Sequence, residues 1–101
     1  MIHTVLIVEG KHADVPSFAA DVQKKGLNVV SVSNGGEAVA RLVRSGAEVV
    51  VINAASMRST GVRICQAIRE KDDRMPIVLI VDSDKEIAKD TADAILMLPF
   101  T

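Results

Sequence analysis

Five short apolar runs divide the chain, at residues 5–8, 27–32, 49–52, 77–81 and 95–98. Most are rich in Val and Ile and run continuously, the pattern of strands buried on both faces. The segments between them follow a helical period. Val15, Phe18, Ala19 and Val22 fall at i, i+3, i+4 and i+7, which places them on one helix face. Pro16 fits the first turn of that helix, and Gly26 after Lys24 and Lys25 ends it. A second helix is predicted from about Gly36 to Ser45, with Val39, Leu42 and Val43 inward, Arg41 and Arg44 outward, and Gly46 as its stop. A third is predicted from about Gly61 to Lys71, with Ile64, Cys65 and Ile68 inward, before Asp72, Asp73 and Pro76 break it. A weaker fourth runs from Lys85 to about Thr91, with Asp84 as its candidate N-cap.

Strands alternating with helices in this way predict an α/β fold of right-handed βαβ units, with a parallel sheet and helices on both faces. Functional residues in such folds gather at the C-terminal ends of the strands, near the point where strand order reverses. That rule singles out Glu9 and Gly10, Asn53, residues 81–83, and Leu98.

At 101 residues the sequence is one domain. A hydrophobic content of 49% excludes a disordered chain. Aromatic residues make up only 2%, so there is no platform for stacking nucleic-acid bases, and a net charge of -1 argues against direct nucleic-acid contact by this domain. The single cysteine, Cys65, rules out an internal disulfide and suits a core position in a reducing compartment. No apolar run is long enough to span a bilayer, and no secretory leader opens the sequence. A cytoplasmic protein without membrane contact is the expectation.

The residues at the strand ends carry a resemblance. The stretch Val5-Leu6-Ile7-Val8-Glu9-Gly10-Lys11 resembles the first strand and acidic end of the receiver domains of two-component response regulators. Val49-Val50-Val51-Ile52-Asn53 resembles their third strand, ending at the phosphoacceptor. Gly61-Val62-Arg63-Ile64-Cys65 resembles the glycine and helix that follow, and Met75-Pro76-Ile77 with Val78 to Val81 resembles the fourth strand. Thr91-Ala92-Asp93, the run after it, and Leu98-Pro99-Phe100 resemble the Gly-Ala-Asp stretch, fifth strand and Lys-Pro-Phe ending. The resemblance covers residues 1–101. It implies a flavodoxin-like, doubly wound five-stranded sheet of order 2-1-3-4-5, with the family's fifth helix absent from this chain.

Active receivers carry two adjacent acids, an Asp acceptor, a Ser or Thr, and a Lys at these places. Here they read Glu9-Gly10, Asn53, Val81 and Leu98. An amide is a very poor nucleophile, so no acyl phosphate is expected at Asn53. Mg²⁺ prefers carboxylate oxygens, and Glu9 alone supplies one where the family supplies three, so no cofactor is expected and Mg²⁺ binding should be lost or very weak. Val81 cannot donate to a phosphoryl oxygen, and Leu98 cannot form the lysine's ion pair. A Glu9 left without its metal needs a partner, and Lys11 and Arg58 are the candidates. Ile95 takes the place of the family's switch aromatic, and only sixteen residues separate Val81 from Leu98, so the fourth helix should be short and the domain should hold one conformation.

The resemblance therefore implies a degenerate receiver, or pseudo-receiver, that is not an enzyme. Its expected role is a phosphorylation-independent regulatory and dimerisation module of a DNA-binding transcriptional regulator, with DNA bound through a C-terminal domain outside this chain. An interaction domain of a sensor histidine kinase or clock-type protein, taking a protein or a small ligand, is the alternative. A phosphoacceptor at Asp82 or Asp84, a flavin- or nucleotide-binding enzyme, and modification of Ser56, Ser59, Thr60 or Ser83 rank below these. His3 and His12 show no metal-ligand spacing and read as surface residues, and Leu98-Pro99 permits a cis peptide.

Overall fold

A computed structural model describes residues 3–10, 23–54, 61–81 and 92–97. In chain order the elements are β1 (Thr4–Glu9), β2 (Asn28–Val32), α1 (Gly35–Ser45), β3 (Val49–Asn53), α2 (Val62–Lys71), β4 (Ile77–Val81) and β5 (Ala94–Met97). All neighbouring strands pair in parallel, in the order β2-β1-β3-β4-β5. This is the expected doubly wound order. The chain steps from β1 out to β2, returns past β1 to β3 and then proceeds to β5, so the switch point lies between β1 and β3. The bodies of the first and fourth predicted helices, residues 15–22 and 85–91, lie outside the described residues, as does the Leu98-Pro99 bond.

Burial follows position in the sheet. In β1, Val5, Leu6, Ile7 and Val8 are all buried, as are Ile77, Leu79, Ile80 and Val81 in β4. These runs read correctly as strands covered on both faces. The run at 27–32 does not: of β2 only Val32 is buried, and Asn28 and Ser31 are exposed. Its apolar run is that of an edge strand, which has a neighbour on one side only. On one face of the sheet Leu6, Val8, Val50, Ile52, Ile77 and Leu79 pack with Ala38 and Leu42 of α1 and with Ile64, Cys65 and Ile68 of α2. Each fully buried Leu or Ile there contributes about 1.5–3 kcal/mol.

Helix α1 begins one residue before the sequence suggests, because Asn34 caps it. The Asn34 side chain accepts the Glu37 backbone N–H at 2.9 Å, and Glu37 Oε1 accepts from the Ser33 N–H and the Asn34 amide in return. This reciprocal pairing satisfies donors that the first turn leaves open. The buried stripe is Ala38 and Leu42, one turn apart, with Val39 half-buried. Val43, expected inward, is 82% exposed. It lies 100° around the axis from Leu42, beyond the reach of the sheet.

Helix α2 starts at Gly61, whose φ is +83. A Cβ at Gly61 would lie 2.7 Å from Leu79 Cδ1 and 3.1 Å from Ala54 Cβ. Glycine there satisfies both a left-handed backbone and a close approach of α2 to the ends of β3 and β4. At the other end of the sheet, Asp93 joins three elements. Its Oδ2 accepts the Ile77 N–H at 2.8 Å and an Arg69 N–H at 2.7 Å, and its own N–H donates to Ile77 O at 2.9 Å. Arg69, in the last turn of α2, also donates to Met75 O at 2.6 Å and Asp73 O at 3.2 Å. One guanidinium thereby ties the end of α2 to the starts of β4 and β5.

The Ile77 N–H, aided by Arg69, holds the Asp93 carboxyl below its ordinary value of 3.8. A depressed folded-state value means that this carboxylate's contribution is present above pH 3.8 and is lost as pH falls through the folded value. Asp93→Asn should therefore be less stable than wild type at pH 7, with the difference shrinking below pH 3.8, as read by urea unfolding at several pH values. Gly61→Ala should lose about 2–4 kcal/mol in the same measurement, from left-handed strain added to overpacking against Leu79.

Candidate functional site

The strand-end site is built by register. Val5 pairs with Val49 and Ile7 with Val51, which brings Glu9 opposite Asn53, and Asn53 opposite Ile80 of β4. Side chains alternate along each strand, so Glu9 and Asn53 project to the same face. The Asn53 amide Nδ2 donates to Glu9 Oε2 at 3.1 Å. Asn53 is fully buried, and Glu9 and Gly10 are half-buried beside it. Val81, only 8% exposed, closes β4 opposite Met97 of β5. Gly61 brings the start of α2 against Ala54 and Leu79 at the same end of the sheet.

The structure thus unites Glu9, Gly10, Asn53 and Val81 at the C-terminal ends of adjacent strands. Leu98, Lys11 and Arg58 lie outside the described residues, as do Asp82, Asp84, His12, Ser56, Ser59, Thr60 and Ser83. One described partner of Glu9 is the neutral Asn53 amide, a pairing not expected from sequence, while the expected cations Lys11 and Arg58 lie outside the described residues. The signal was available, because an order of 2-1-3 places the ends of β1 and β3 side by side. Ile95, at the switch position, is half-buried in β5 and packs against the core. His3 is exposed, as expected, with Nδ1 at 2.6 Å from Glu48 Oε2.

The chemistry of residue 53 decides what this end of the sheet can do. An amide N–H bonded to a carboxylate is charge-assisted, worth about 1.5–3 kcal/mol, and leaves one negative charge in the pair. A carboxylate in its place would put two like charges within hydrogen-bond distance. Among the described residues, no three His, Cys, Asp or Glu side chains converge in a set that could hold a metal.

The response regulator TrrA of Thermotoga maritima, crystallised with Mg²⁺-BeF, superposes with a TM-score of 0.81 at 17% identity, over 99% of this chain and 90% of that one. A response regulator receiver protein from Sinorhizobium medicae superposes at 0.74 with 28% identity, over 99% of this chain and 85% of that one. Structural neighbours and sequence relatives support one class, a response-regulator receiver domain of the CheY-like fold. Among the relatives is the sensory transduction protein RegX3 of Mycolicibacterium smegmatis, 29% identical over 86 residues, which cover 85% of this chain and 37% of that protein. Another is the alkaline phosphatase synthesis transcriptional regulatory protein PhoP of Bacillus subtilis, 21% identical over 85 residues, which cover 84% of this chain and 35% of that protein. The chain therefore spans little more than a third of the length of these relatives. No family model matches it. No described helix is long and apolar enough to cross a membrane.

Asn53→Asp tests the electrostatics of the pair. A second carboxylate beside Glu9 raises the folded-state proton affinity, so the variant should be about 1–3 kcal/mol less stable than wild type at pH 7. It should recover part of that loss on acidification toward pH 4.5, or on adding millimolar MgCl₂. Wild type should show neither recovery in parallel urea titrations.

Proposed function

We propose that this chain is a pseudo-receiver: a receiver fold that regulates without accepting a phosphoryl group at its strand-end site. The observation that carries the reading is the buried Asn53 amide donating to Glu9 where the resemblance expects an acceptor carboxylate. Acyl phosphate formation needs a carboxylate oxygen as nucleophile and a cation to offset charge as the phosphoryl group arrives. Asn53 supplies a neutral amide oxygen. The donor set of Glu9, Gly10 and Asn53 offers a single carboxylate, which does not fit a hard octahedral ion such as Mg²⁺. Val81, at the end of β4, is an apolar core residue where the resemblance expects a hydroxyl. On this reading the Asn53 N–H does for Glu9 part of what a cation does in an active receiver, by compensating its charge.

A domain that has given up phosphoryl chemistry acts through its surfaces. The likeness to a transcriptional regulatory protein supports the reading of a regulatory and dimerisation module of a DNA-binding regulator, with DNA contacted elsewhere in the full protein. A symmetric pair of such domains would place two DNA readers on matched half-sites. The second reading, an interaction domain serving a sensor kinase, takes support from the likeness to TrrA, a response regulator also crystallised in complex with the histidine kinase ThkA.

Incubation with acetyl phosphate and Mg²⁺, followed by intact-mass measurement, should give no phosphoryl adduct on wild type. A stoichiometric, hydroxylamine-sensitive adduct would overturn the reading. Light scattering across a concentration series checks the dimer. A particle mass that stays monomeric into the hundreds of micromolar would remove dimerisation from the proposal.

A further inference from the structure

At the β2 edge of the sheet, a groove of about 300 Å³ runs between the strand and α1, lined by Val30, Arg41, Arg44 and Ser45. Both arginines are exposed, and no hydrogen bond or ion pair engages either among the described residues. The described acids next to them in sequence, four residues before Arg41 and four after Arg44, are committed elsewhere. Glu37, one turn before Arg41, is turned back onto Ser33 and Asn34 at the helix start. Glu48 is held by His3. Ser45 is also occupied, donating to Leu42 O at 3.1 Å and accepting from the Ala47 N–H at 3.2 Å. What remains open is two guanidinium forks beside Val30, next to a strand with no neighbour on its outer side among the described residues.

We propose that this groove is a docking site for an acidic, extended segment of a partner protein. Arg41 and Arg44 are three residues apart on a helix, which sets their Cβ atoms about 5–6 Å from each other. Carboxylates at alternate positions of an extended segment repeat every ~6.6 Å on one face. Two guanidiniums can therefore each take one carboxylate in a bidentate pair, the geometry that distinguishes Arg from Lys. The intervening side chain of such a segment points the other way, and the methylenes of the carboxylate-bearing side chains lie over Val30. The free edge of β2 offers backbone groups for an added strand, so the main chain of the partner contributes as well. Nucleic acid fits less well, because the chain carries a net charge of -1 and only 2% aromatic residues. This surface is separate from the Glu9–Asn53 site, and the inference holds whether or not that site takes phosphate.

The test is fluorescence anisotropy of the full chain with a labelled nine-residue peptide of alternating Glu and Val, at low salt. Binding should weaken about tenfold in the double variant Arg41→Ala/Arg44→Ala, the loss expected of two exposed bidentate pairs. Arg41→Lys/Arg44→Lys should fall between the two, and a Lys-Val peptide should not bind. Amide shifts on titration should map to β2 and α1. Both arginines are exposed, so thermal melts of the variants should match wild type and exclude misfolding. Equal affinity of wild type and the alanine variant would overturn the proposal, as would shifts mapping elsewhere. Competition by inorganic phosphate or duplex DNA at lower concentration than the peptide would overturn it too, reassigning the groove to phosphate groups.

Discussion

The parallel pairing of β1 with β3 governs this protein. Once Val5 lies opposite Val49, a spacing of two residues per pleat carries the alignment to the strand ends and sets Glu9 against Asn53. A slip of one residue would turn Leu6 and Val8 away from α1 and α2 and point Glu9 into that apolar layer. The core therefore enforces the site. Burial of Leu6, Val8, Val50 and Ile52 selects the register, and the register selects which polar groups meet.

The two ends of the sheet meet their polar demands differently. At the C-terminal end, a buried amide donates a hydrogen bond to a half-buried carboxylate. At the N-terminal end, the Asp93 carboxylate, just before β5, and the Arg69 guanidinium bind each other and backbone groups at the start of β4. The second arrangement is structural, since it satisfies strand-initiating backbone that water would otherwise solvate. The first occupies the place where a receiver keeps its chemistry, and a neutral amide there removes the repulsion that a second carboxylate would bring.

Several features were legible from sequence because they depend on local pattern. The continuous runs of β1 and β4, the helical spacing of Ile64, Cys65 and Ile68, and the stop at Gly46 all follow from side-chain period and backbone preference. Val43 and β2 are exposed beyond what the local pattern predicts for one reason: an apolar residue reports that it can be buried, and only the neighbouring layers decide whether it is. The Asn34 cap is likewise a local signal, with Glu37 three residues on at capping-box spacing.

The sequence by itself determined the alternation of strands and helices, the apolar layers, and the identity of the groups at each strand end, since these depend on residue type and short-range spacing. Tertiary structure alone decided which of those groups touch. Asn53 reaches Glu9 across 44 positions of chain, and Arg69 reaches Asp93 across 24. Contacts of this kind are fixed by how the sheet is ordered, and no local period encodes that order.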